Sequence, residues 1–231
     1  MSKTSVRSAV CLLIPSLCVV FPSYSQSIGS RIVFTASSSV TIGATAMDPA
    51  GNLYIAGTTL ASDLPGALNM PSRPQLQVSA DGGGSWSGLT ASPGGAILSI
   101  AADPVRADQL YAGAWSGLWR STDGGKSWSR ILPNSGSVGA AVDPRNPDRV
   151  AAVTAEGLNL STDGGDTWEL VVAQPNGFLG ANEQGGVRFS PADSNLVLCG
   201  LTLVSLKDRK VVSESPMYKT NAPYRIEFDP F

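Results

Sequence analysis

Beyond residue 30 the apolar residues of this 231-residue chain fall in short runs separated by Gly, Pro, Asp, Ser and Asn. The pattern is clearest in the middle of the chain. There Ala96 to Ala102, Gln109 to Ala114, Leu118 to Thr122 and Ser127 to Leu132 each have the length and bounding turn residues of a strand. Small and β-branched side chains fill the first two, as expected of inner strands packed tightly against neighbours. No segment after residue 30 keeps a 3.6-residue apolar period over the length of a helix. The pattern predicts an all-β chain.

The same four-strand pattern recurs. Ser79-Ala80-Asp81-Gly82-Gly83-Gly84-Ser85-Trp86 is repeated as Ser121-Thr122-Asp123-Gly124-Gly125-Lys126-Ser127-Trp128 and as Ser161-Thr162-Asp163-Gly164-Gly165-Asp166-Thr167-Trp168, with aspartates 42 and 40 residues apart. That spacing is the length of one four-stranded blade, so the chain reads as a β-propeller. An Asp-Pro pair precedes the box by 20 residues at Asp103-Pro104 and Asp143-Pro144, and by 33 at Asp48-Pro49, which places about 13 inserted residues around Ala61 to Gln75. A fourth copy starts at Ser190-Pro191 without a box, and Ile226 to Pro230 repeats the start of a fifth. The predicted repeats are approximately 40–90, 95–133, 137–175, 184–215 and a partial 222–231. Four blades and part of a fifth read more like a piece of a larger propeller than a small closed ring. The strand Arg31 to Thr35 is the segment available to pair into the last blade and close such a ring.

Asp-Gly-Gly is a tight-turn sequence, in which glycine supplies positive φ and aspartate bonds the backbone of its own turn. With Trp at one fixed offset in all three copies, Asp81, Asp123 and Asp163, together with Trp86, Trp128 and Trp168, are expected to hold the fold rather than to do chemistry. The loop lacks the density of acidic ligands that calcium requires. The motif S-x-D-x-G-x-x-W resembles the Asp-box of the BNR-repeat families. These include sialidases, the sortilin ectodomain, xyloglucan-degrading glycosidases and the photosystem II assembly factor family. The first repeat, from Thr41-Ile42 through Asp48 and Gly51 to Ser62-Asp63-Leu64-Pro65, is similar to the bacterial SBBP β-propeller repeat, with Leu64 where that family carries an aromatic. The second resemblance implies a secreted or cell-surface protein.

The N-terminus supports the same compartment. Lys3 and Arg7, the apolar stretch Ala9 to Phe21 and Ser23-Tyr24-Ser25 before Gln26 have the form of a secretory signal peptide, predicted as residues 1–25 with the propeller as 26–231. An uncleaved anchor is the alternative. Cleavage removes Cys11 and Cys18 and leaves Cys199 alone on an apolar strand, so no internal disulfide is expected. It also leaves 14 basic and 18 acidic residues, a formal charge of −4. A mildly acidic chain without a basic block argues against nucleic acid as a partner, and no integral membrane segment is expected after cleavage.

The chain has no histidine, which excludes Ser-His-Asp and Cys-His catalysis and argues against a zinc site. No cofactor is predicted. Glycoside hydrolysis needs only two spaced carboxylates and remains the enzymatic alternative. The resemblance to sialidases implies an arginine cluster, which the scattered Arg106, Arg145 and Arg149 do not form in sequence. Blade topology puts the three-to-four turns, and hence the boxes, on one side, and the two-to-three turns and inter-blade connections on the other. The second side carries Trp115, Glu156, Phe178, Asn182 and Glu183, the candidate ligand-face residues, with Glu156 and Glu183 as the acids to weigh for catalysis. Trp115 has two readings: it stacks on a ligand, or it covers a neighbouring loop, the commoner role for a lone aromatic. The sequence thus predicts a non-catalytic binding or structural module for protein or carbohydrate, secreted, periplasmic or at the cell surface. A chaperone-like docking module is the third reading.

Overall fold

The computed structural model describes residues 18–20, 31–33, 40–59, 74–89, 93, 97–133, 139–173, 186–200 and 202–214. Four antiparallel sheets of four strands, each a simple up-and-down meander, account for most of them. Blade one consists of β3 (Val40–Met47), β4 (Leu53–Thr59), β5 (Pro74–Ser79) and β6 (Ser87–Leu89). Blade two is β7 (Ile97–Ala102), β8 (Leu110–Ala114), β9 (Gly117–Ser121) and β10 (Ser129–Leu132). Blade three is β11 (Gly139–Val142), β12 (Val150–Thr154), β13 (Gly157–Ser161) and β14 (Glu169–Ala173). Blade four is β15 (Val187–Phe189), β16 (Leu196–Cys199), β17 (Thr202–Ser205) and β18 (Lys210–Glu214). The described residues contain no helix. These are the blades of a β-propeller, with strand bounds within two residues of the sequence expectation for blade two.

Two further segments pair outside the blades. Cys18–Val20 (β1) and Arg31–Val33 (β2) form a two-stranded antiparallel sheet. In the full chain the strand beginning at Arg31, the segment available to close a small ring, is hydrogen-bonded to Cys18–Val20. The inserted residues do lie between strands two and three of blade one, as expected, although 60–73 fall outside the described residues. The partial fifth repeat, 222–231, falls outside them too.

The core lies between blades. A small four-stranded sheet cannot cover its own faces, so each blade buries its apolar side chains against the next. First strands are neighbours in sequence order, β3 beside β7, β7 beside β11 and β11 beside β15. Tyr54, Ala56 and Leu76 of blade one pack on Ile100, Leu110 and Ala112 of blade two. Tyr111, Leu118 and Leu132 of blade two meet Ala140, Val150 and Ala152 of blade three. Ala151, Val153 and Leu158 of blade three meet Val187, Phe189, Val197 and Cys199 of blade four. Cys199 is wholly buried in that last layer, which pushes its thiol pKa far up and keeps it unionised.

In blades two and three the turns between strands two and three are two residues long and are followed by a glycine. Gly117 and Gly157 have φ of +128° and +139°, and a Cβ on either would collide with a fourth-strand carbonyl, that of Leu132 or Val172. The fourth strand can close over the turn only because nothing projects there. Replacing Gly157 by Ala adds both the clash and the positive-φ strain, so a loss of about 2–4 kcal/mol is expected, read as a lower urea midpoint with unchanged slope.

Candidate functional site

The three boxes share one geometry. In the second, Asp123 Oδ1 accepts from Ser121 Oγ at 2.8 Å and from the Ser127 N–H at 2.8 Å, while Oδ2 accepts from Ser127 Oγ at 2.6 Å. Ser121 Oγ also takes the Gly125 N–H at 2.8 Å. The same bonds recur around Asp81 and Asp163. Each Trp indole N–H closes the turn on a glycine carbonyl, Trp86 on Gly83, Trp128 on Gly125 and Trp168 on Gly165, at 3.0–3.2 Å. Gly124 and Gly125, with φ of +71° and +87°, give the turn its left-handed bend. The donors around each carboxylate, led by the Ser or Thr hydroxyl four residues on, hold it ionised. The pKa of Asp123 falls to about 2, and those of Asp81 and Asp163 are also lowered. Both carboxylate oxygens accept inside the turn. Each box thus spends these groups within its own turn.

The tryptophans do more than cover their own turns. Trp128 of blade two packs into the core layer it shares with blade one, and Trp168 into the layer between blades two and three. Polar groups span the same seams. Tyr111 Oη donates to the Gly164 carbonyl at 2.9 Å, and Arg120 reaches both that carbonyl and Asp166. Tyr54, at the corresponding place in blade one, lies against Gly124 of the second box and donates to Asp48.

A second structural set was not singled out as such by the sequence. The Asp-Pro aspartates are buried: Asp48, Asp103 and Asp143. Asp103 accepts from the N–H groups of Val105 and Arg106 and pairs with Arg106 Nε at 2.7 Å. Asp143 accepts from the Arg145 N–H, Arg149 Nη1 and, from blade four, Ser194 Oγ. Arg106 then continues to Asp148 and the Pro147 carbonyl of blade three, and Arg145 to the Ala192 carbonyl of blade four. The arginines that sequence alone left scattered are thus tied to buried or neighbouring-blade acceptors. The signal was the repeat itself, an aspartate recurring at one register position of the first three blades, with Ser190 there in the fourth.

On the opposite side, Trp115 and Ser116 form the two-to-three turn of blade two, and Ala155 and Glu156 that of blade three. Trp119 donates from Nε1 to Ser116 Oγ at 3.0 Å, and Arg130 Nη1 points to the Ser116 carbonyl at 3.5 Å. Asn159, the counterpart of Trp119, buttresses the next turn through Thr154 Oγ1 and the Gly157 carbonyl. Trp115 is 61% exposed. Glu156 is exposed on the neighbouring turn. Phe178, Asn182 and Glu183 lie outside the described residues. Among the described residues no group of three His, Cys, Asp or Glu is arranged to hold a metal ion.

The second box, with the strand residues on either side of it, matches a known sequence profile, that of the BNR/Asp-box repeat, over residues 119–130. That segment is a BNR/Asp-box repeat. No curated protein matches the chain in sequence. Among solved structures, the GH74 xyloglucanase from Xanthomonas campestris is similar over 78% of this chain and 31% of its own, with 20% identity and a TM-score of 0.54. An ancestral GH74 enzyme is similar over 73% of this chain and 22% of its own, with 21% identity and a TM-score of 0.53. The structure of YCF48 bound to D1 peptide is 17% identical over 74% of this chain and 54% of its own, at a TM-score of 0.49. The chain therefore spans less than a third of the two GH74 enzymes it resembles, and at this identity the likeness is one of propeller fold.

The box carboxylates make stability depend on acid. A group more acidic in the folded chain than in the unfolded one contributes stability that is complete above its unfolded pKa, near 4, and is lost as pH falls through its folded value. For Asp123 that window runs from about pH 4 down to about 2. Urea midpoints should hold steady from pH 7 to 5 and then drop towards pH 2. The drop should be shallower in a variant carrying Asp81→Asn, Asp123→Asn and Asp163→Asn together.

Proposed function

We propose that the chain is an exported, non-catalytic β-propeller module that binds a protein or a glycan through the side carrying its two-to-three turns. The observation that carries this reading is the division of labour between the two sides. The box side spends its carboxylates, arginines and indole N–H groups on turns and seams. The other side presents Trp115 and Glu156 to solvent on short, braced turns. Exposed side chains on a rigid scaffold are the usual form of a recognition surface. Export is supported by the arrangement of Lys3, Arg7, Ala9 to Phe21 and Ser23 to Ser25, and the acidic balance after cleavage leaves nucleic acid without a complementary surface.

The non-catalytic part rests on carboxylate supply. Hydrolysis of a glycosidic bond uses two carboxyl groups about 5–9.5 Å apart. Among the residues whose side chains are described, Glu156 is the acid on the two-to-three side; the others sit on box-side turns with donors of their own or at the ends of strands facing them. The full chain, expressed in a bacterial host, should appear outside the cytoplasm with a mass lacking residues 1–25. The secreted form should release no reducing ends from soluble polysaccharides during prolonged incubation at high protein concentration. Retention of the full-length mass in the cytoplasm would sink the export reading. Reducing-end release abolished by Glu156→Gln would replace a binding module by a glycosidase.

A further inference from the structure

We propose that Asp81 is a site of spontaneous isoaspartate formation in this chain, and that the fold shields Asp123 and Asp163 from the same reaction. All three boxes carry the sequence Asp-Gly-Gly. Asp-Gly is well suited to this chemistry, because glycine has no side chain to obstruct attack by its own amide nitrogen. That nitrogen attacks Cγ of the aspartate. A C–N bond forms, and the Cγ–O bond breaks as water leaves with the amide proton. Water then opens the resulting five-membered imide. Cleavage between the nitrogen and the main-chain carbonyl carbon of the aspartate leaves the chain running through Cγ. One water is lost and one is regained, so the step needs no other reactant.

Three copies of one sequence would react alike in an unfolded chain, and the fold makes them unequal. In the second box the Gly124 N–H donates to the Asp108 carbonyl at 2.9 Å, and in the third the Gly164 N–H donates to the Asp148 carbonyl at 2.8 Å. Both acceptors stand in the one-to-two turn of the same blade. Leu110 follows Asp103, and Val150 follows Asp143, by seven residues, whereas Leu53 follows Asp48 by five. The shorter turn, with Gly51 at φ +87°, has no residue in the place of Asp108, and the Gly82 N–H donates to no carbonyl among the described residues. The attacking nitrogen is therefore held in the second and third boxes and unheld in the first.

Burial separates the boxes in the same order. Gly124 and Gly164 are buried, and the space that a Cβ would fill is bounded by Tyr54 and Asp108 at the first and by Tyr111 and Arg106 at the second. Gly82 is exposed, with nothing within 4 Å of that space, and Ala80 and Asp81 beside it are exposed too.

The closed box is not itself reactive. Asp81 accepts from the Ser85 N–H at 2.8 Å and from Ser85 Oγ at 2.6 Å, which ties its carboxylate to the far end of the turn. Reaction proceeds from a turn that has opened locally, and its rate follows the ease of that opening. Opening the first box releases bonds within the turn. Opening the second or third also breaks the glycine N–H bond and lifts a buried glycine from beneath a tyrosine of the preceding blade.

The test is to age the full chain for weeks in mildly acidic buffer at physiological temperature, then locate isoaspartate by tryptic digestion and electron-transfer mass spectrometry. Trypsin leaves the three boxes on separate peptides. Isoaspartate should accumulate at Asp81 at least about fivefold faster than at Asp123 or Asp163. In a parallel sample unfolded in guanidinium chloride the three rates should converge. Replacing Ala50-Gly51-Asn52 by a copy of Val105 to Gln109 lengthens the first turn to match the others and supplies the missing acceptor, so it should slow Asp81. A urea midpoint matching that of the parent establishes that this variant folds. Equal rates at the three boxes of the folded parent, or no isoaspartate at Asp81, overturn the proposal whatever the variant does. A lead for Asp81 that persists in guanidinium chloride overturns it too, since local sequence and not the fold would then set the rate. An unchanged Asp81 rate in the folded variant overturns the role given to the short turn.

Discussion

Everything in this molecule depends on each blade completing its neighbour. A four-stranded meander has two faces to bury and no helix to cover them, and the solution here is a sequence of shared layers. The seam between blades two and three shows how this is done. Tyr111 fills the layer with its ring and reaches the Gly164 carbonyl with its hydroxyl, and Arg120 takes a second bond to the same oxygen. Each such hydrogen bond contributes about 1 kcal/mol net, whereas leaving a buried partner unpaired costs more. The seam is therefore sensitive to deletion of either side. Asp103 and Asp143 extend the same logic to the one-to-two turns, where buried carboxylates are matched by arginines that go on to touch the following blade.

This arrangement explains why one side of the propeller is chemically quiet. The boxes carry many polar groups, and a list of their residues looks like a binding site. Their geometry is closed: the carboxylate accepts from the Ser or Thr hydroxyls and the indole N–H donates to a glycine carbonyl, all within eight residues of chain. The two-to-three turns are shorter and spend less. Their bracing comes from one side chain two positions after the glycine, Trp119 or Asn159, and their tips are left to solvent.

Much of this was legible in the sequence because it is periodic. A box every 40 or 42 residues gives the blade, the turn type and the side on which the turn must lie, since strand parity decides sides without any knowledge of packing. What periodicity does not reveal is depth. Asp103 looks like a solvated turn residue, and only the approach of blade three, bringing Asp148 and Pro147 to Arg106, shows it buried. Trp128 reads as the lid of its own turn, yet it belongs to the layer shared with the preceding blade. For Trp115 the side was readable and the exposure was not, because exposure depends on what the adjoining blades place nearby. The partner of the Arg31 strand was not readable either: its sequence suits pairing but carries no information about the partner, and in the full chain a nearby segment supplies one.

The tyrosine position has a consequence for how such a chain is assembled from repeats. Tyr54 and Tyr111 face blades two and three, both of which carry a box. At the same register in blade three stands Ala151, and the blade it faces turns from strand three to four without a box, through Leu206 to Arg209, with Arg209 itself at φ +55°. A bulky hydroxylated ring thus occurs where it lies against a box glycine of the next blade, and a methyl group where a different layer must fit. Each repeat is cut to the one that follows. Although the blades look interchangeable, exchanging two of them would strand a tyrosine at one seam and leave a gap at another, so their order is an inherited property of the joints.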